Sequence, residues 1–270
     1  IKTKVPESAP EGWAQNWIDS FLLDRWARER IKPAQDADGV TLIRRLSFDL
    51  LGLPPSIATV ERFKNAKDAN LVYESIVDEF LSSASFGERM VSYWLDLVRF
   101  ADTVGYHGDQ DHNITPYRDY VLDSFNQNLP FDQFTREQLA GDLLNGPTID
   151  QRIATGYNRL LQTSHEGGVQ EREYLAIYAA DRIRNLSGVW MGATLGCAQC
   201  HDHKYDPYTA RDFYGMSAFF ADVDESKHFA VGSNSLPTKR PPEIAVLSRK
   251  DREHIEKLET KVPKTKKNED

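Results

Sequence analysis

The run Cys197-Ala198-Gln199-Cys200-His201 holds both cysteines of the 270-residue chain and ends on one of its seven histidines. Two thiols three positions apart, followed at once by an imidazole, form the CxxCH pattern that attaches haem of the c type. Each S–H can add across one vinyl group of the porphyrin to leave a thioether, and the next residue sets an imidazole under the iron. Cys197 and Cys200 would then be the anchors and His201 the axial iron ligand of one covalent haem c. Random placement of two cysteines and seven histidines gives this arrangement on the order of a few times in ten thousand chains.

Two other chemistries compete for the same residues. A redox CxxC normally opens a helix in a thioredoxin-like βαβ setting, and the sequence around it lacks strand patterning. Zinc is the stronger rival, because Cys197, Cys200, His201 and His203 place four donors within seven residues. Structural zinc sites usually draw their two ligand pairs from separate segments, which such a tight group does not supply. A zinc-stabilised binding module therefore stands behind the haem reading as an alternative.

A sixth iron ligand has to come from elsewhere in the chain. His107 and His112 lie in a loop rich in Gly and Asp/Asn, His165 precedes the Glu166-Gly167-Gly168 run, and Met191 and Met216 offer thioethers. Both methionines sit among apolar helical positions and read as packing, which leaves His107 or His165 as the distal ligand. His203 is too close to His201 to reach the opposite face of the same haem, and reads as a hydrogen-bonded histidine or as the partner of an anion or second metal. Arg99, Arg118 and Arg182 are the expected partners of the haem propionates. They belong to a set of charges in apolar surroundings, with Asp119, Glu137, Asp142, Glu166 and Asp181, that suggests arginine–carboxylate networks.

The elements that position these residues are predicted to be helices, since apolar residues recur at three- and four-residue steps. Trp17 to Trp26, Leu42 to Leu50, Tyr73 to Phe80 and Met90 to Val98 each mark an apolar face, and Gly52, Pro54 and Pro55 stop the second. A helix is expected after Ser56. Residues 102–116 break the pattern as a long loop. Helices follow over 117–126 and 131–144, then from a Thr148 cap to Leu161, and over a long stretch from Gln170 to Leu195 whose end delivers the cysteines. Thr209 and Asp212 form a capping box for the next helix. Residues 222–247 read as an extended surface segment, and Ser248 caps a charged last helix. The fold class is all-α: one large domain with long loops around the haem, not the small classical cytochrome c fold. The helical haem-binding domain takes 1–225, and 226–270 form an extended segment and charged C-terminal helix or linker.

Composition narrows the function classes. Lys+Arg 33 against Asp+Glu 41 gives a net charge of -8, which argues against a phosphate-clamping nucleic-acid binder. Mean hydropathy is -0.55, and no run approaches the roughly 18 apolar residues of a membrane span. The opening IKTKVPESAP carries neither an initiator Met nor a leader, and reads as a processed protein or an excised domain.

The string GCAQCHDHKYDP at 196–207, with EGG at 166–168, YRDYV at 117–121 and PFDQFTREQLAGDLL at 130–144, resembles the planctomycete-type cytochrome family. The resemblance runs from about Trp17 to Glu225. It implies a c-type haem domain within a long extracytoplasmic chain, hence a periplasmic or similar location, with a redox partner protein or neighbouring domains as electron partners. One-electron transfer is the implied activity. A haem-dependent oxidoreductase acting on a small molecule or carbohydrate through an open distal site is the alternative. The family pattern often carries His where this chain has Asn158, and a different polar pair where it has Ser164-His165. An open or water-bound iron would suit the oxidoreductase.

Overall fold

The computed structural model describes residues 4–6, 13–14, 16–106, 109–164, 168–229 and 239–260. Among these the chain is helical, and β structure is limited to two isolated bridges, Thr103 with Asp111 and Gly105 with Thr163. Among the described residues no helix is long and apolar enough to cross a membrane.

Capping residues set most helix starts. Asn16 closes a reciprocal box with Asp19 at the head of α1 (Trp17–Glu29), and Asp38, Ser56, Asp68 and Ser83 cap α2 (Gly39–Leu51), α3 (Ile57–Lys64), α4 (Ala69–Leu81) and α5 (Ala84–Leu97). Gly52 ends α2 in the left-handed conformation at φ 70°, as its position before two prolines demands. Ile43, Ile76 and Phe80 form a first small core among α2, α3 and α4.

The main core lies where α5 crosses α6 (Thr115–Asn126), α7 (Phe131–Ala140) and α8 (Ile149–Ala154), around Trp94, Val98, Tyr117, Val121, Phe134 and Tyr157. It holds a polar centre. Trp94 Nε1 and the Tyr117 hydroxyl donate to Gln138 Oε1 at 3.0 and 2.6 Å, while the Tyr120 hydroxyl donates to Glu137 Oε2 at 2.8 Å. Gln133 and Gln151 donate to the other Glu137 oxygen. Burial pushes the Tyr117 and Tyr120 hydroxyls far above their ordinary range, so both remain donors. The Glu137-Gln138 pair thus ties α7 to α5, α6 and α8. Gln138→Leu strands the Tyr117 donor and leaves Trp94 Nε1 only its longer bond to the Tyr117 hydroxyl at 3.2 Å, and should cost about 1–3 kcal/mol; a change below about 0.5 kcal/mol in urea unfolding would contradict this role.

Gly141 shows why the 131–144 helix stops early. A Cβ there would lie 2.1 Å from the Gln151 carbonyl oxygen, so only glycine lets this turn approach α8. The helix starting at Thr148 is also shorter than expected: α8 ends at Ala154, and Thr155–Arg159 tightens into a 3-10 turn packed on Tyr117 through Gly156.

The third core joins α9 (Glu171–Met191), the 3-10 turn Leu195–Gln199 and α10 (Ala210–Ala218) through Ile183, Leu195, Ala198 and Phe213. Gly192 stops α9 in the left-handed region at φ 59°, three residues before the expected end. The cysteines therefore ride on a separate turn. Beyond α10 run the short α11 (Ser226–Phe229) and the charged α12 (Arg249–Glu259), which Ser248 caps by accepting from the Asp251 N–H. Of the segment 222–247, residues 230–238 lie outside the described residues, and the described part is not a surface segment throughout: Glu225, His228 and Arg240 are buried, because each meets polar partners from α9 or from the turn after α8.

Candidate functional site

The cysteine turn is fastened from below and open above. Leu195 and Ala198 are fully buried against α9 and α10, while Cys197, Cys200 and His201 are exposed. Both thiols are free. The Cys200 N–H bonds the Cys197 carbonyl at 3.4 Å, the i to i+3 pattern in which side chains three apart eclipse each other and share one face. Gln199 supplies the fastening. Its carbonyl accepts from the Tyr214 hydroxyl of α10 at 3.0 Å, and its side-chain oxygen accepts from Arg184 of α9. Arg184 was not legible as a site residue; it packs beside Gly196, where the missing side chain leaves it room.

His201 Nδ1 lies 2.8 Å from the Asp202 carbonyl oxygen. A carbonyl can only accept, so the neutral ring carries its proton on Nδ1 and leaves the Nε2 lone pair available. That is the tautomer and second-shell contact a metal-bound histidine uses.

His203 does something different. Its Nδ1 accepts from the backbone N–H groups of Asp206 at 2.9 Å and Tyr205 at 3.3 Å, and its side chain is largely buried against Tyr208. The loop closes through His203 N–H to Tyr208 O at 2.8 Å, while Asp202 Oδ1 accepts from the first N–H of α10. The conspicuous HDHKYDP run is thus a closed loop that ties Asp202, the neighbour of His201, to α10. With Nδ1 committed, His203 is poorly placed to join Cys197, Cys200 and His201 on zinc. Among the described residues no group of three or more His, Cys, Asp or Glu gathers in an arrangement suited to a metal ion.

Of the proposed distal ligands, His107 and His165 lie outside the described residues, as does Glu166. His112 donates from Nε2 to the Ala101 carbonyl at 3.1 Å, and burial holds its imidazole below the ordinary value. Met191 is exposed and Met216 packs against the core around Phe213.

The three arginines expected at propionates each face a carboxylate of the protein. Arg99, at the end of α5 in a left-handed conformation, makes a bidentate pair with Asp181 at 2.7 and 2.8 Å. Arg118 pairs with its neighbour Asp119 at 2.9 Å on the surface. Arg182 meets Glu225 at 2.7 Å, both side chains under 5% exposed (3% and 4%). Arg99, Asp181 and Arg182, with Tyr157, Asn158 and Asn185, line a small cleft beside α9. Arg182 and Arg184 stand roughly 200° apart around that helix, so the arginine beside the cysteine turn is Arg184.

In comparison with known families, residues 17–225 match the model of PSCyt2, described as a protein of unknown function (DUF1549). No curated protein and no solved structure matches the chain.

Proposed function

Because the chain belongs to the PSCyt2 family, and its cysteine turn offers two thiols beside an imidazole whose Nδ1 faces a carbonyl, we propose that it is a c-type haem domain serving one-electron transfer outside the cytoplasm. The donor set fits the group. Cys197 and Cys200 share an exposed face, with the buried Leu195 and Ala198 fixing the turn beneath them. The observation that carries the reading is His201 Nδ1 on the Asp202 carbonyl, which leaves Nε2 as the ring nitrogen that would hold the iron.

Haem c bound there supplies an iron that passes between ferric and ferrous states. The chain's own residues do the rest. Cys197 and Cys200 would each hold the haem by a thioether, formed by adding S–H across one vinyl group with no atom lost. Asp202 orients His201, the His203 loop keeps that orientation, and Gln199 ties the turn to α9 and α10. Exposure of the turn leaves the attachment edge at the surface, where a redox partner protein or a neighbouring domain of a longer chain can dock. Maturation of haem c outside the cytoplasm gives the periplasmic or other extracytoplasmic location.

Spectra of the haem-loaded chain test the electron-transfer role. A six-coordinate low-spin haem in both oxidation states, converted to high spin by either His107→Ala or His165→Ala, is the expected result. A five-coordinate haem that takes up added cyanide or carbon monoxide while both variants leave it unchanged would replace the carrier with a haem oxidoreductase.

A further inference from the structure

A second cluster lies on the face of α9 away from the cysteine turn. Arg159, Arg182 and Arg240 come from three separate segments and are knit together through backbone carbonyls. Arg182 Nη2 donates to Asn158 O at 3.2 Å, Arg240 Nη1 to Arg159 O at 2.9 Å, and Arg159 Nη2 to Asp224 O at 3.2 Å. Among the described residues the carboxylate paired with these guanidinium groups is Glu225, at 2.7 Å from Arg182. Three guanidinium charges face Glu225 and the nearby Glu243, which accepts the backbone N–H of Arg240 and whose charge favours that of Arg159, while Asp224 is paired with Lys227; among the described residues one positive charge is left in surplus.

Donors are left over as well as charge. Arg159 Nη1, Arg182 Nε, and Arg240 Nε and Nη2 are buried without a hydrogen-bond partner. Arg240 is only 5% exposed, and burial, reinforced by the like charge of Arg159, pushes it down to about 10. Burying unpaired guanidinium is costly unless a counter-charge is supplied. Phe220, which packs on the core under the cysteine turn, covers Arg182 on that side.

We propose that Arg159, Arg182 and Arg240 form a buried receptor for a tetrahedral oxyanion, a sulfate or phosphate group. Such an anion supplies the missing negative charge, and its several oxygens can meet the unpaired donors arriving from three segments. A carboxylate's planar fork suits one guanidinium rather than three. Bound there, the anion ties the segment after α11 to α9 and to the turn after α8. The site does not depend on haem.

Calorimetric titration of the full chain with sodium sulfate and with sodium phosphate, at constant ionic strength set by sodium chloride, tests this. Saturable one-to-one binding of one or both is expected, equal with and without haem. Sulfate preference would identify a sulfate receptor and phosphate preference a phosphate receptor. Arg159→Gln and Arg240→Lys should each weaken binding tenfold or more with the circular dichroism of the helices unchanged. Should Arg240→Lys fail to fold, Arg159→Gln and the wild-type titration decide. No saturable binding, equal binding of the dicarboxylate malonate, or wild-type affinity in folded variants would overturn the proposal.

Discussion

Glu225→Gln should remove about 3–5 kcal/mol of unfolding free energy, because it strips the counter-charge from a guanidinium buried on all sides. Arg182→Met should cost less. It takes away one cation, while Glu225 keeps Arg159 and Arg240 as neighbours that favour its charge. The asymmetry distinguishes a cluster with surplus positive charge from an isolated pair, in which either deletion strands its partner equally. Urea unfolding of the two variants measures it. Equal losses, or a loss below about 1 kcal/mol for Glu225→Gln, would contradict the buried cluster.

At the cysteine turn the expected effects are all-or-none. In cells with a haem c maturation system, Cys197→Ala and Cys200→Ala together should give protein with no covalent haem, and each alone a single thioether with a shifted visible spectrum. His201→Ala should lose native axial ligation. His203→Ala should keep both attachment and ligation, since its ring is spent on the Tyr205 and Asp206 N–H groups, and lose only about 1 kcal/mol of stability with them. Loss of haem ligation in His203→Ala with a normal spectrum in His201→Ala would reverse the assignment of the two histidines.

Much of this was legible in the sequence for physical reasons. Local caps and stops announce themselves: Ser56, Thr148, the Thr209–Asp212 box and Gly52 act through neighbours three or four residues away, and each stands where its residue type predicts. The CxxCH spacing is local in the same sense. What escaped was long-range. The early end of the 131–144 helix depends on Gln151 meeting Gly141 across space, and the break at Gly192 separates a turn that periodicity ran into α9. Arg184 could not be told from other surface charges until Gln199 was placed beside it. Segment 222–247 lacks an apolar period because its buried groups are Glu225, His228 and Arg240, which are held by polar partners rather than by a hydrophobic face. His203 could be read as a hydrogen-bonded histidine or as the partner of an anion or second metal, and its bonds from the Tyr205 and Asp206 N–H groups give it the first role.

The most direct measurement is the intact mass of the denatured wild-type chain after expression with haem c maturation, read with its reduced and oxidised visible spectra. The assignment of Cys197, Cys200 and His201 predicts one haem added per chain, resistant to acid and organic extraction, with a c-type reduced spectrum. An unmodified mass with zinc bound in the native protein would contradict it and make the turn a metal clip.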